Sequence, residues 1–247
     1  MASIVGLTGA AVRAQSSPAP RQAAPDAKSS GQHPDLSGTW QVLAPAAWNL
    51  LDHQASEGVP AGQGIVVGNE IPYQPWAREK QQQNFRNRAQ ADPEKRCYLP
   101  GVPRLTLMPF PFQIFQSDDL VLMIHEYARA IRHVHTNGTA HPHGPLEFWL
   151  GDSRGRWEGN TLVVDTVHFT DQTWLDRSGN FHSEALHVVE RFTPDGPDHL
   201  RYQARLEDSK VFTRPWEIET VLYRRKEKNA QILEYNCYGF EFEGLYP

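Results

Sequence analysis

The chain has 247 residues, with 24 basic against 29 acidic side chains, a formal net charge of −5 and 39% hydrophobic content. That length accommodates one large all-β domain or two small ones, and the mildly acidic balance gives no reason to place nucleic acid among its partners. Beyond the N-terminus no stretch approaches the ~18 to 20 apolar residues of a membrane-spanning helix. The low apolar content points to a folded core shorter than the chain.

In chain order, residues 1–14 have a short apolar run and small residues, with Val12 and Ala14 at −3 and −1 of a cleavage point before Gln15. This is the end of a secretory signal pattern, so the expected location is secreted or periplasmic. Residues 15–34 are rich in Ser, Pro, Ala and Gln and read as a flexible linker. A single domain is expected over 35–247, with a helical and irregular insertion at about 69–111. Pro72 and Pro75 introduce a polar helix over roughly 76–90, and Asp92-Pro93 ends it. Residues 97–111 carry four prolines and read as irregular chain.

From Phe112 onward the pattern is strand after strand: 112–116, 120–127, 128–136, 154–157, 161–169, 186–193, 199–207, 216–224 and 231–237, after a first strand at Trp40. Asn137-Gly138 is the strongest hairpin signal. In 199–207, Leu200, Tyr202, Ala204 and Leu206 share one face and His199, Arg201, Gln203 and Arg205 the other, as in a half-exposed strand. Nothing between the strands is helical enough for βαβ crossovers. The fold class is therefore all-β: an antiparallel up-and-down barrel of about nine or ten strands with one short N-terminal helix.

Gly38-Thr39-Trp40 resembles the G-x-W opening of lipocalins, and Trp157 to Val164 resembles a late hairpin of fatty-acid-binding proteins. Both imply a calycin-like barrel. More specifically, Arg96-Cys97 with Pro100-Gly101-Val102-Pro103-Arg104, Gly155 to Gly159, His182 to Phe192 and Thr213 to Trp216 are similar to the recurrent phrases of a family of uncharacterised secreted bacterial proteins. The resemblance implies export and a shared fold, but no reaction.

Cys97 and Cys237 belong to no C-x-x-C pair. In an oxidising compartment they either close one long loop or stay as buried thiols.

Several strands carry ionisable groups among apolar neighbours, which suggests an interior holding something besides side chains. His187 and His182 are the candidate acid or base, Asp165 or Glu190 the carboxylate that orients it, and Arg132 or Arg191 the holder of an anionic oxygen. Asp165 shares a face with Val163 and Val167 and is expected inside. His125, Glu126, His141, Trp174 and Asp176 are candidate ligand contacts, with the 171–176 loop as a cap. A metal alternative uses His133, His135, His141, His143 and Glu147, since residues i and i+2 on a strand share a face. There is no nucleophile elbow, phosphate loop or dinucleotide fingerprint. The expected function is thus cofactor-free acid–base chemistry of lyase, isomerase or cyclase type on a small organic molecule. A lipocalin-like binding protein is the rival reading.

Overall fold

The computed structural model describes residues 33–56 and 58–237; the expected signal segment and most of the linker lie outside them. Nine strands close into one barrel in chain order: β1 Gly38–Val42, β2 Phe112–Gln116, β3 Leu120–His125, β4 Ile131–His135, β5 Asp152–Glu158, β6 Thr161–Val167, β7 His187–Pro194, β8 His199–Glu207 and β9 Trp216–Arg224. β9 returns to β1, with Trp40 opposite Arg224. Helix α1, Pro75–Ala91, and the short α2, Arg104–Leu107, lie in the insertion before β2. Among the described residues no helix is long and apolar enough to cross a membrane.

Period-two alternation decides which side chains enter the barrel. Trp40, Phe112, Ile114, Met123, Val164, Phe192 and Tyr202 do so, each no more than 1% exposed. β8 alternates as its sequence predicts. Gly38 opens β1 because Arg224 crosses it: a Cβ there would stand 2.1 Å from the Arg224 guanidinium. That guanidinium lies 4.2 Å above the Trp40 ring and donates to the Ser37 carbonyl.

Two features depart from a simple meander. β4 and β5 pair in parallel, Val134 opposite Ser153, across the loop of residues 136–151. Asn137-Gly138 does turn the chain, with Asn137 Oδ1 accepting from the Thr139 amide at 3.2 Å. No hairpin follows, because the loop carries the chain back before β5 begins; a parallel pair requires such a return. The tenth strand expected over 231–237 is also absent. That segment forms no ladder; scattered contacts hold it, among them the Leu233 amide to Glu126, Arg129 to Glu234 and the ring of Tyr235 against Phe110 and Tyr127, together with the disulfide at Cys237.

The insertion is fastened by charge rather than by regular structure. Arg104, 1% exposed, donates twice to Asp92 and once to Glu94, and Arg177 donates twice to the same Glu94. Glu94 is held below the ordinary carboxylate range: burial raises it, but the two guanidiniums outweigh burial. A disulfide joins Cys97 to Cys237 beside this cluster, closing a sequence separation of 140.

Candidate functional site: a histidine–carboxylate chain on the outer wall

The ionisable residues singled out from the strands divide between two places, one inside the barrel and one outside. Inside, Arg132 on β4 points inward and donates to both oxygens of Glu190 on β7, at 3.1 Å through Nη1 and more closely through Nη2. It also donates to Ser153 on β5 and Thr166 on β6, at 3.1 and 3.0 Å. The Tyr202 hydroxyl on β8 gives Glu190 a third hydrogen bond at 2.8 Å. All five side chains are at most 2% exposed. His125 lies in the same interior, stacked on Phe112 at 4.8 Å. Its burial, with the Arg132 charge second, lowers its pKa to about 3, so the ring is neutral.

The interior was expected to be a hollow that accounted for these charges. It is instead a packed core in which the charged groups satisfy one another, as buried ions must.

Outside, the register sets up a second group. Asp152 pairs with Val167, and Asp165 pairs with both Arg154 and Val189, so Asp152 and His187 lie on one outward rung and Asp165 on the next. Asp165 therefore faces outward, contrary to the interior position expected from its valine neighbours. Val163 and Val167 share its face but are covered from outside, Val163 completely, so apolar neighbours did not mark the inside. The diagonal spacing of adjacent rungs brings side chains together: His187 Nε2 donates to Asp165 Oδ2 at 3.0 Å.

His141 descends from the 136–151 loop between two carboxylates. Its Nε2 lies 2.9 Å from Asp165 Oδ1, and its Nδ1 lies 2.6 Å from Asp152 Oδ1. Carboxylates accept, so both contacts are satisfied only when each ring nitrogen carries a hydrogen. Arg154 grips Asp152 with two donors, at 2.7 and 2.8 Å. His168, at φ +63°, donates to the Pro142 carbonyl at 3.0 Å and ties the loop down.

The result is a continuous chain, Arg154–Asp152–His141–Asp165–His187, ending beside two cavities. One, of about 310 Å³, is lined by His187, Ser209, Thr213 and Arg214; the other, of about 360 Å³, by His187, His168, Glu147 and Phe169. The Asp165 hydrogen bond raises the His187 pKa, more than burial lowers it. Asp165 is correspondingly lowered, first through its bond with His187. Asp152 is lowered too: burial pushes it up, but the bonds from Arg154 and His141 prevail.

No protein-family model, curated protein or solved structure matches this chain.

The remaining candidates lie elsewhere. Arg191 faces outward four positions along β7 from His187 and pairs with Glu158 at 2.9 Å. His182 is buried: its Nδ1 donates to the Ser183 carbonyl at 2.8 Å, and the Thr173 hydroxyl donates to Nε2 at 2.7 Å. Burial lowers its pKa, and both nitrogens are engaged. Glu126 accepts from the Leu233 amide, and Trp174 sits in the main core rather than over an opening. Asp176 is fully buried, accepting from the amides of Leu50, Ser178 and Asn180.

The histidine tract is dispersed. His133 faces outward from β4, His141 is clamped as described, and His143 and Glu147 are exposed. Among the described residues no group of three His, Cys, Asp or Glu side chains is arranged to hold a metal ion. Asp152 and Arg154 were not singled out in the sequence. Their one signal is the i, i+2 alternation in Asp152-Ser153-Arg154, which places both on the face of Asp165's partner rung.

Proposed function

We propose that this protein is an exported enzyme performing cofactor-independent acid–base chemistry, of lyase, isomerase or cyclase type, on a small organic molecule bound against the outer wall at His187. The observation that carries this reading is the His187–Asp165 pair beside two cavities. Because Nε2 donates to Asp165, the neutral ring holds its lone pair at Nδ1, which has no hydrogen-bond partner among the described residues. In the step proposed, Nδ1 takes a proton from a carbon next to a carbonyl. The C–H electron pair moves into the enolate, and Asp165 steadies the resulting imidazolium. Reprotonation from the same nitrogen at another atom gives an isomer; departure of a leaving group gives a lyase. Arg214 lines the same 310 Å³ cavity, and in this reading it supplies the positive charge for the developing oxyanion.

Export is supported by the N-terminal pattern together with the Cys97–Cys237 disulfide. The calycin-like relationship rests on Gly38-Thr39-Trp40 opening a closed barrel. A lipocalin-like carrier would need room in the lumen, where Trp40, Phe112, Phe192 and Tyr202 are packed.

The test does not require knowledge of the product. Small carbonyl compounds are incubated in D2O with the purified protein, and loss of α-proton signals is followed by NMR. Wild type should catalyse exchange on some members of the panel, and His187→Asn should lose it by about 10²-fold or more. Equal exchange by both proteins would reject the assignment.

A further inference from the structure

Helix α1 has no apolar stripe: of its 17 residues only Ala77 and Asn84 are buried. A surface helix ordinarily attaches through an apolar face, but this one attaches through polar contacts. Gln81 Nε2 donates to the Ser178 carbonyl at 2.8 Å, and Asn84 Nδ2 to the Gly179 carbonyl at 3.2 Å. The approach is close enough that a Cβ on Gly179, which has φ +79°, would stand 2.6 Å from the Asn84 Cβ.

Asp176 organises that turn from beneath. It accepts from the Ser178 amide at 2.9 Å, from the Asn180 amide and from Asn180 Nδ2, and across the cleft from the Leu50 amide at 2.8 Å. Tyr73 then donates its hydroxyl to Asn180 Oδ1 at 3.0 Å. One buried carboxylate thus fixes the 49–51 segment, Tyr73 and, through the 178–180 turn, α1. Burial raises its pKa to about 6 despite these donors. These elements wall a cavity of about 410 Å³, larger than either cavity at His187, in the size range of small-molecule sites.

The groups facing this cavity indicate what it would hold. Arg78 and Arg86 line it from α1, and neither guanidinium makes a hydrogen bond or ion pair among the described residues. Ile71 and Phe85 add apolar surface. Glu70, also at the rim, lies 4.0 Å from Arg214. Two uncommitted guanidiniums over an apolar floor, with walls fixed in advance, suit a ligand with a carboxylate head and an apolar body.

We infer that the cleft between α1 and the 49–51 and 69–73 segments binds a small organic carboxylic acid, held by Arg78 and Arg86 with its body against Ile71 and Phe85. This site is separate from the His187 cavities and stands whether or not His187 is catalytic.

Calorimetric titration of the full chain with benzoate and hexanoate, alongside benzamide and hexanamide, tests it. At least one acid should bind saturably with one-to-one stoichiometry, and its amide about tenfold more weakly or not at all. The Arg78→Gln/Arg86→Gln double variant should lose about tenfold in affinity. Both arginines are exposed, so an unchanged circular dichroism spectrum and melting temperature will show that the variant folds. His187→Asn should bind as wild type does. The inference is overturned if neither acid binds, if the amides bind equally well, if the double variant is unaffected, or if His187→Asn alone removes binding.

Discussion

Replacing Glu190 by Gln tests whether the barrel interior is held by charge. Glu190 is 0% exposed and accepts two hydrogen bonds from Arg132 and one from Tyr202. The amide keeps the shape but removes the charge, and it turns one acceptor into a donor facing the Arg132 or Tyr202 donors. Arg132, 2% exposed, then keeps a positive charge with no counterion in contact. Breaking a buried pair from one side costs about 3–5 kcal/mol. In a domain whose total stability is about 5–15 kcal/mol, that is a large share, and at about 2–4 °C per kcal/mol for this size the midpoint should fall by roughly 6–20 °C. Urea titration followed by tryptophan fluorescence should show the lower midpoint with an unchanged slope. The triple replacement Arg132→Met/Glu190→Leu/Tyr202→Phe removes the charges and the hydroxyl together and should recover most of the loss, since apolar replacement of a buried pair is often close to neutral. A loss below about 1 kcal/mol for Glu190→Gln would mean that water reaches these groups, and the account of a closed, self-satisfied interior would fail.

Two further outcomes follow from the outer wall and the termini. Asp165→Asn should lower the His187 titration midpoint measured by ring-nitrogen NMR, because the Asp165 bond is the main cause of its elevation. The sign follows from linkage: the raised His187 stabilises fully below its unfolded value of about 6.5 and less as pH rises through the folded value, while the lowered Asp165 stabilises above about 3.9 and less as pH falls through its own. The stability difference between wild type and Asp165→Asn should therefore be flat between about pH 4 and 6.5 and shrink on both sides; a difference that grows with pH above 7 would contradict the pairing. Reducing the Cys97–Cys237 bridge should cost up to about 5 kcal/mol, the chain-entropy value for a loop of the observed separation of 140, read as a lower urea midpoint in dithiothreitol; no change would show that the unfolded chain gains nothing from the release.

The barrel was legible in the sequence because most of its strands obey period two, as β8 does from His199 to Glu207. The sense of the β4–β5 pair was not legible. Asn-Gly specifies a local turn, whereas pairing direction depends on where the rest of the 136–151 loop travels, and here Asp165 on β6 and His168 just past it fasten that path by holding His141 and Pro142. The pairing of His187 with a carboxylate on a neighbouring strand was legible in kind, and its face was not. In β6, Thr161 to Val164 are all buried, so burial on both sides erases the alternation that would have told Asp165 from Thr166. Register supplies what composition lacks. Once Asp165 is opposite Val189, His187 must be its diagonal neighbour and Glu190 must face the other way. One strand thus delivers a histidine to the outer wall and a glutamate to the core. A one-residue slip of β7 would exchange them, exposing Val188 and Phe192 and burying His187 and Arg191 without partners, and that cost is what keeps the outer chain of histidines and carboxylates in place.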